Sequence, residues 1–248
     1  MKLTAEEVYE KLLNDDKILT KKGQISFQLG DISIIVKQKD VVGNIMQEWV
    51  EGWLKKNEID YALDNSQMPP DFYLDPDDKK KNLLEIKAFN YKASPAFDIA
   101  DFTMYEQEVK DKPWMLDVTY LIFGYAMSDD GVVTIKRMWK QKVWEITRPM
   151  LSGKNKTPWP LNLQIKKGKV HKMRPGKWYS KPRQFKMYET KEDFLSAIEE
   201  TVYQNVDTRS DGPDWRYAFL KNYQKHYGEK LIIPRWTDIA DNYIIKKK

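Results

Sequence analysis

The chain has 248 residues, 32% of them Asp, Glu, Lys or Arg, and a mean hydropathy of −0.71, which suits one large α/β domain or two small ones with a well-solvated surface. No apolar run approaches 18 residues, which excludes a transmembrane helix, and the absence of cysteine excludes disulfides and every cysteine-ligated zinc site. The net charge of +5 and pI near 8.9 permit nucleic-acid binding without demanding it, so the placement of the charge matters more than its sum.

The N-terminus lacks the apolar region of a signal peptide, and a bacterial cytoplasmic protein is expected. Thr4 followed by Glu7 is a capping box and predicts a helix over about 5–14. Residues 24–37 alternate weakly and end in a strand at Ile32–Val36. Over 41–57, Ile45, Met46, Trp49, Val50, Trp53 and Leu54 cover one broad face of an amphipathic helix, with Asn44, Glu48 and Glu51 on the other. Glu48 and Glu51 are most simply solvated helix charges.

Residues 69–87, PPDFYLDPDDKKKNLLEIK, read as a β-hairpin. Alternation puts Asp71, Tyr73 and Asp75 on one side of the first strand and Phe72 and Leu74 on the other. The stretch Asp75–Asn82 is a turn by composition. In the return strand Glu85 and Lys87 share a face, backed by Leu84, Ile86 and Ala88. If Asp71 lies opposite Glu85 or Lys87, two carboxylates and an ammonium converge. Carboxylate oxygens suit a hard divalent cation such as Mg2+, and the lysine can place or deprotonate an attacking water. The set fits phosphodiester hydrolysis. The plainer reading is a surface hairpin with solvated charges; against it stands the apolar context, since buried unpaired charge is costly.

Downstream, 96–110 predicts a helix that Asp98 or Asp101 would cap. Strands at 118–125 and 132–138 flank a turn at Ser128–Gly131. Lys140–Ile146 is a short helix or strand, and Thr190 caps a helix over 191–204 with Phe194, Ile198 and Val202 inward. That helix is expected to be the last. With no Gly/Ser/Pro-rich linker, the whole chain is expected to be one domain. Its catalytic core would cover about 1–150 and a basic DNA-recognition segment about 150–216.

Between 154 and 186 the chain carries eleven Lys or Arg and no Asp or Glu, so the remainder is net acidic. A flexible basic loop is one reading; a DNA-facing surface is the other. On a DNA surface Lys167 and Lys169 suit phosphates, while Arg174 and Arg183 offer a planar fork that matches guanine edges. Asn205, Arg209 and Arg216 are weaker candidates for the same work. His171 and His226 do not fit the spacing of a His-Glu-x-x-His hydrolase, and Gly153-Lys154 has Arg148 where a P-loop needs glycine.

The Pro70-Asp71…Glu85-Ile86-Lys87 pattern resembles the active-site motif of the PD-(D/E)xK nucleases. With Val41–Trp49, Ala93–Phe102 and Lys142–Ile146 it resembles type II restriction endonucleases, most of all the NlaIV/NgoBV type with an EcoRV-like core. The resemblance spans roughly 1–210. It implies an α/β (α+β) restriction-endonuclease-like core, a mixed β-sheet flanked by helices. It also implies Mg2+ held by Asp71 and Glu85, catalysis with Lys87, a homodimer on palindromic double-stranded DNA, and a cognate DNA methyltransferase in the same system. In such enzymes an acid on the preceding helix leans into the metal site, which singles out Glu48, with Glu51 as the alternative. A loop before the catalytic strand enters the minor groove, which singles out Asn65 and Gln67. Two other readings stay open: a structure-selective nuclease of the same superfamily, and a non-catalytic DNA-binding protein.

Overall fold

Residues 1–63, 68–153 and 157–245 are described by a computed structural model. In chain order its first elements are helix α1 (Ala5–Glu10), strands β1 (Lys22–Gln24), β2 (Ser26–Leu29) and β3 (Ile32–Ile35), and helix α2 (Val41–Lys56). Strands β4 (Ala62–Leu63), β5 (Phe72–Tyr73), β6 (Leu83–Asn90) and β7 (Ala100–Asp101) follow, then helix α3 (Phe102–Asp111). Next come β8 (Thr119–Met127), β9 (Val132–Gln141), helix α4 (Val143–Ile146), and strands β10 (Met150–Ser152), β11 (Thr157–Trp159), β12 (Leu163–Lys166) and β13 (Lys169–Met173). Helices α5 (Lys191–Gln204), α6 (Gly212–Tyr227) and α7 (Trp236–Ile239) close the series.

The elements gather into two compact units, Met1–Phe97 with Val118–Gln141, and Asp98–Asp117 with Lys142–Lys248. The first holds a six-stranded mixed sheet in the order β1-β9-β8-β6-β5-β4. Within it β6 and β8 run parallel and the other neighbours antiparallel. Tyr120, Leu121, Ile122 and Phe123 are buried in succession, so both faces of the central β8 are covered. The β8–β9 turn needs its glycine twice over. Gly131 has φ +81°, and a Cβ there would lie 2.7 Å from Ile35 Cγ2.

Helix α2 buries Val42, Met46, Val50, Trp53 and Leu54, a stripe at helical spacing, into the core formed by Phe72, Leu84, Ile86 and Leu121. Its Trp53 indole donates to Asp16 at 2.7 Å, and Lys55 and Lys56 sit in its last turn where cations favour the dipole. The predicted capping box is present: Glu7 N donates to Thr4 Oγ1 at 3.2 Å and Thr4 N to Glu7 Oε2 at 2.7 Å.

The second unit packs α3 and α6 through Trp215, whose indole donates to the buried Glu106 at 2.8 Å and whose ring stacks on Phe219. Helix α5 carries the expected Thr190 cap and buries Phe194, Ile198 and Val202. Two expectations change here. The helix predicted from 96 begins only at Phe102, because Ala100 and Asp101 pair with Met173 and Lys172 before Asp101 caps it. And α5 is not the last helix. Residues 212–227 form α6, started by Pro213 in its first turn and stopped by Gly228 at φ +75°.

Candidate active site

Strands β5 and β6 pair Phe72 with Leu84 and Tyr73 with Leu83. One further step of that register sets Asp71 opposite Glu85. Their apolar neighbours Phe72, Leu74, Leu84 and Ile86 point into the core and anchor the pair, so the two carboxylates lie on the reverse side of a rigid sheet. Asp71 Oδ2 accepts from the Ile86 amide at 2.7 Å, which fixes its carboxylate against the β6 backbone. Lys87 Nζ lies 2.7 Å from Glu85 Oε1. The hairpin thus unites Asp71, Glu85 and Lys87. Asp75 leaves the group, because Lys2 holds it at 2.6 Å outside the strand.

Glu85 is 3% exposed, and its Oε2 has no hydrogen-bond partner among the described residues. Burial pushes its carboxyl up to about 7; the Lys87 charge opposes that rise and the Asp71 charge adds to it. Burial also raises Asp71 above its ordinary value, against the Ile86 hydrogen bond and the Lys87 charge. Two facing carboxylates, one with a buried oxygen left over, are a donor set that fits a hard divalent cation.

Among the described residues no third Asp, Glu, His or Cys joins them in a group that could hold a metal. Gly43 of α2 sits against Ala88, the residue after Lys87, but Glu48 lies one and a half turns further on and is exposed. Glu51, the alternative, is taken by Lys55 at 2.7 Å and by the Tyr61 hydroxyl at 2.8 Å. Asn65 and Gln67 lie outside the described residues.

Part of the basic segment forms regular strands. β12 and β13 form a hairpin whose two-residue turn, Lys167-Gly168, has φ +50° and +79°. Two central residues with positive φ mark the turn that matches strand twist. It sets Lys166, Lys167 and Lys169 together, all exposed, at one tip. A Lys-Gly pair between alternating residues was the signal, and Lys166, one of the segment's eleven basic residues, joins the two lysines singled out from the sequence. Lys169 is paired with Asp207 at 2.9 Å, and Arg174 with Asp98 at 3.1 Å. Arg183 and Arg209 are exposed. Lys154 and Lys156 lie outside the described residues.

Two surface candidates are corrected. Asn205 is 1% exposed, and its backbone carbonyl accepts from Thr208 and Arg209, so it builds the turn after α5 and does not face solvent. Arg216 lies within α6, where it forks onto the buried Glu199 and donates to the Ile233 and Pro234 carbonyls. Its guanidinium is spent inside the fold.

Comparison with known proteins gives one consistent result. The NgoBV restriction endonuclease family matches residues 2–243. The chain is 57% identical to the type II restriction enzyme NlaIV of Neisseria lactamica, over the full length of both. It is 52% identical to the type II restriction enzyme NgoBV of Neisseria gonorrhoeae across 67% of this chain and 92% of that one. The solved NlaIV restriction endonuclease superposes with a TM-score of 0.93 at 56% identity, covering 99% of this chain and 98% of the other.

Proposed function

The chain belongs to the NgoBV restriction endonuclease family and is a type II, site-specific endonuclease; from that premise we propose that it uses Asp71, Glu85 and Lys87 to cut both strands of a palindromic duplex as a homodimer. The observation that carries the site is Glu85, set opposite Asp71 across the β5–β6 pair, with one buried carboxylate oxygen that has no hydrogen-bond partner among the described residues. These two residues would hold Mg2+, which supplies charge neutralisation at the scissile phosphate.

The chain's own groups do the rest. Lys87, a donor held by Glu85, orients the attacking water and stabilises negative charge growing on the phosphoryl oxygens. The water oxygen attacks phosphorus opposite the 3′ oxygen, the P–O3′ bond breaks, and a 5′-phosphate and 3′-hydroxyl result. Strand β6 is held by β5 on one side and β8 on the other, so the three groups need little reorganisation during the step.

In the second unit the β12–β13 tip meets phosphates, while Arg183 and Arg174 read bases, Arg174 after exchanging Asp98 for guanine. Arg209, exposed two residues beyond the Asp207 that Lys169 meets, would add a further cation to that surface. Two-fold symmetry would set one hairpin site on each strand. The enzyme acts in the bacterial cytoplasm, alongside a cognate methyltransferase that protects host DNA without binding this protein. Among the described residues no helix is long and apolar enough to cross a membrane.

The test is digestion of a plasmid of known sequence with Mg2+ and with EDTA. Discrete fragments with Mg2+ and none with EDTA are expected. Equal cleavage in EDTA removes the metal from the reading, and wild-type cleavage by Asp71→Asn removes the hairpin.

A further inference from the structure

The sheet face that carries Glu85 and Lys87 continues past them within the first unit. Directly paired residues share a face, and so do residues two apart along a strand. Lys87 pairs with Ile122 of β8, and Ile122 with Trp139 of β9. One row further, Phe89 pairs with Gly124, and Gly124 with Arg137. Phe89 and Trp139 are buried, and their rings stack at 5.6 Å with 23° between the planes. The Trp139 ring lies over Gly124, where a Cβ would come within 2.9 Å of it. The Arg137 guanidinium sits 5.4 Å from the centre of a Trp139 ring. A bare position on β8 thus lets a tryptophan bridge from β6 to an arginine two strands away.

Resting on the reading of Asp71, Glu85 and Lys87 as the cutting site, we propose that Arg137 grips a DNA phosphate a few steps from the one that is cut, and so positions the strand over the hairpin. Arg137 is exposed, and among the described residues no carboxylate pairs with it, whereas Arg174, Arg216 and Arg235 each meet one. A cation held by a ring keeps its full charge, and its fork can take two phosphate oxygens. The contact with Trp139 restrains the side chain in advance, which lowers the cost of ordering it on DNA. Strand geometry sets the reach. Two strand spacings of about 5 Å and one two-residue step of about 7 Å put its Cα roughly 12 Å from that of Lys87. Each DNA strand carries a charge every ~3.4 Å of axis, so that span covers about three phosphate steps.

The experiment follows binding in Ca2+ by fluorescence anisotropy as salt is raised, for wild type, Arg137→Ala and Arg137→Lys. One duplex carries a cleavage site mapped by the plasmid digest, and the other is random. We expect Arg137→Ala to bind both at least about tenfold more weakly at 100 mM salt. Its salt slope should be shallower by about one for each copy of the chain on the duplex, and Arg137→Lys should keep the wild-type slope. If Arg137 only covers Trp139, Arg137→Ala will melt at lower temperature with the wild-type slope, and that result overturns the proposal. A second measurement locates the contact. Single methylphosphonates, each removing the charge of one phosphate, are placed in turn along both strands of the site. One position within about three steps of the cut should weaken wild type yet cost Arg137→Ala nothing further. No such position, or one well outside that span, overturns the proposal. Binding is read here without cutting, so these outcomes stand apart from the failure of the hairpin itself, which Asp71→Asn reports through cleavage.

Discussion

A carboxylate that is 3% exposed, with one oxygen unpartnered among the described residues, is costly to keep charged, and burial pushes Glu85 up to about 7. The sign follows for ligand binding: a cation needs the deprotonated form, so its affinity should fall as pH drops through about 7, by up to about tenfold per unit for one proton. Calorimetric titration of the DNA-free enzyme at pH 6, 7 and 8 measures it; a flat profile would separate Glu85 from the cation. Glu85→Gln should lower cleavage by several orders of magnitude while leaving DNA binding in Ca2+ intact. Lys87→Met should also stop turnover, and activity within tenfold of wild type would take the lysine out of the reaction. Glu106 offers a cleaner stability case. Burial raises its carboxyl, against the Gln107 hydrogen bond, the Lys110 charge and the Trp215 hydrogen bond. The folded state thus binds a proton that the unfolded chain has released, and the stabilisation it brings is present at acid pH and lost as pH rises through the raised value. Glu106→Gln keeps an acceptor for Trp215, so it should unfold at higher denaturant than wild type at pH 8, with that gain shrinking toward pH 5.

At the scale of elements, the sequence was most readable where spacing and caps agree. Thr4 with Glu7, the α2 stripe and the Gly131 turn all form as expected. The β5–β6 hairpin was readable because Asp71 and Glu85 alternate with Phe72 and Leu84; alternation left Asp71 opposite either Glu85 or Lys87, and the observed register takes Glu85. What alternation does not show is where side chains go for partners. Arg216 reads as a free arginine until Glu199 is found 17 positions earlier on α5. Helix α6 was legible but missed: Trp215, Phe219 and Tyr223 recur at four-residue spacing between Pro213 and Gly228. Trp215→Ala should cost about 3–5 kcal/mol in equilibrium unfolding, through the cavity and the loss of the Glu106 partner. In the β12–β13 hairpin, Gly168→Val should open the turn, since a β-branched residue at φ +79° is strained. Lys167→Ala should lower the salt slope of DNA binding by about one on cognate and random duplexes alike, as one lost phosphate contact does. Lys169→Ala should change it less, because Asp207 already competes for that ammonium. Equal slopes for all three proteins would move phosphate contact away from this tip.

For the whole molecule, the charge balance works as a division: one basic stretch against an acidic remainder. Binding to random duplex should therefore weaken by about 10^3 or more between 50 and 200 mM salt if six or more phosphates are met; fluorescence anisotropy across that range decides. The two-unit organisation was not legible from composition, because the chain passes between units at 97–98, 117–118 and 141–142 without a linker of distinctive residues. Linear order and spatial grouping part company there, and no count of Gly, Ser or Pro reports it.

The parallel pairing of β6 with β8 sets an order of events during synthesis. Glu85 and Lys87 reach their final backing only when Tyr120 and Ile122 arrive beside them, after residues 98–117 have been laid into the other unit. A chain still short of Thr119 holds both carboxylates on a hairpin that lacks its second neighbour, and such a ribbon is marginal in water. A growing chain would therefore be harmless to the DNA around it until well past its midpoint. Ribosome-stalled chains ending near residue 117 should show no nicking, and cleavage should appear only once Gln141 has cleared the exit tunnel.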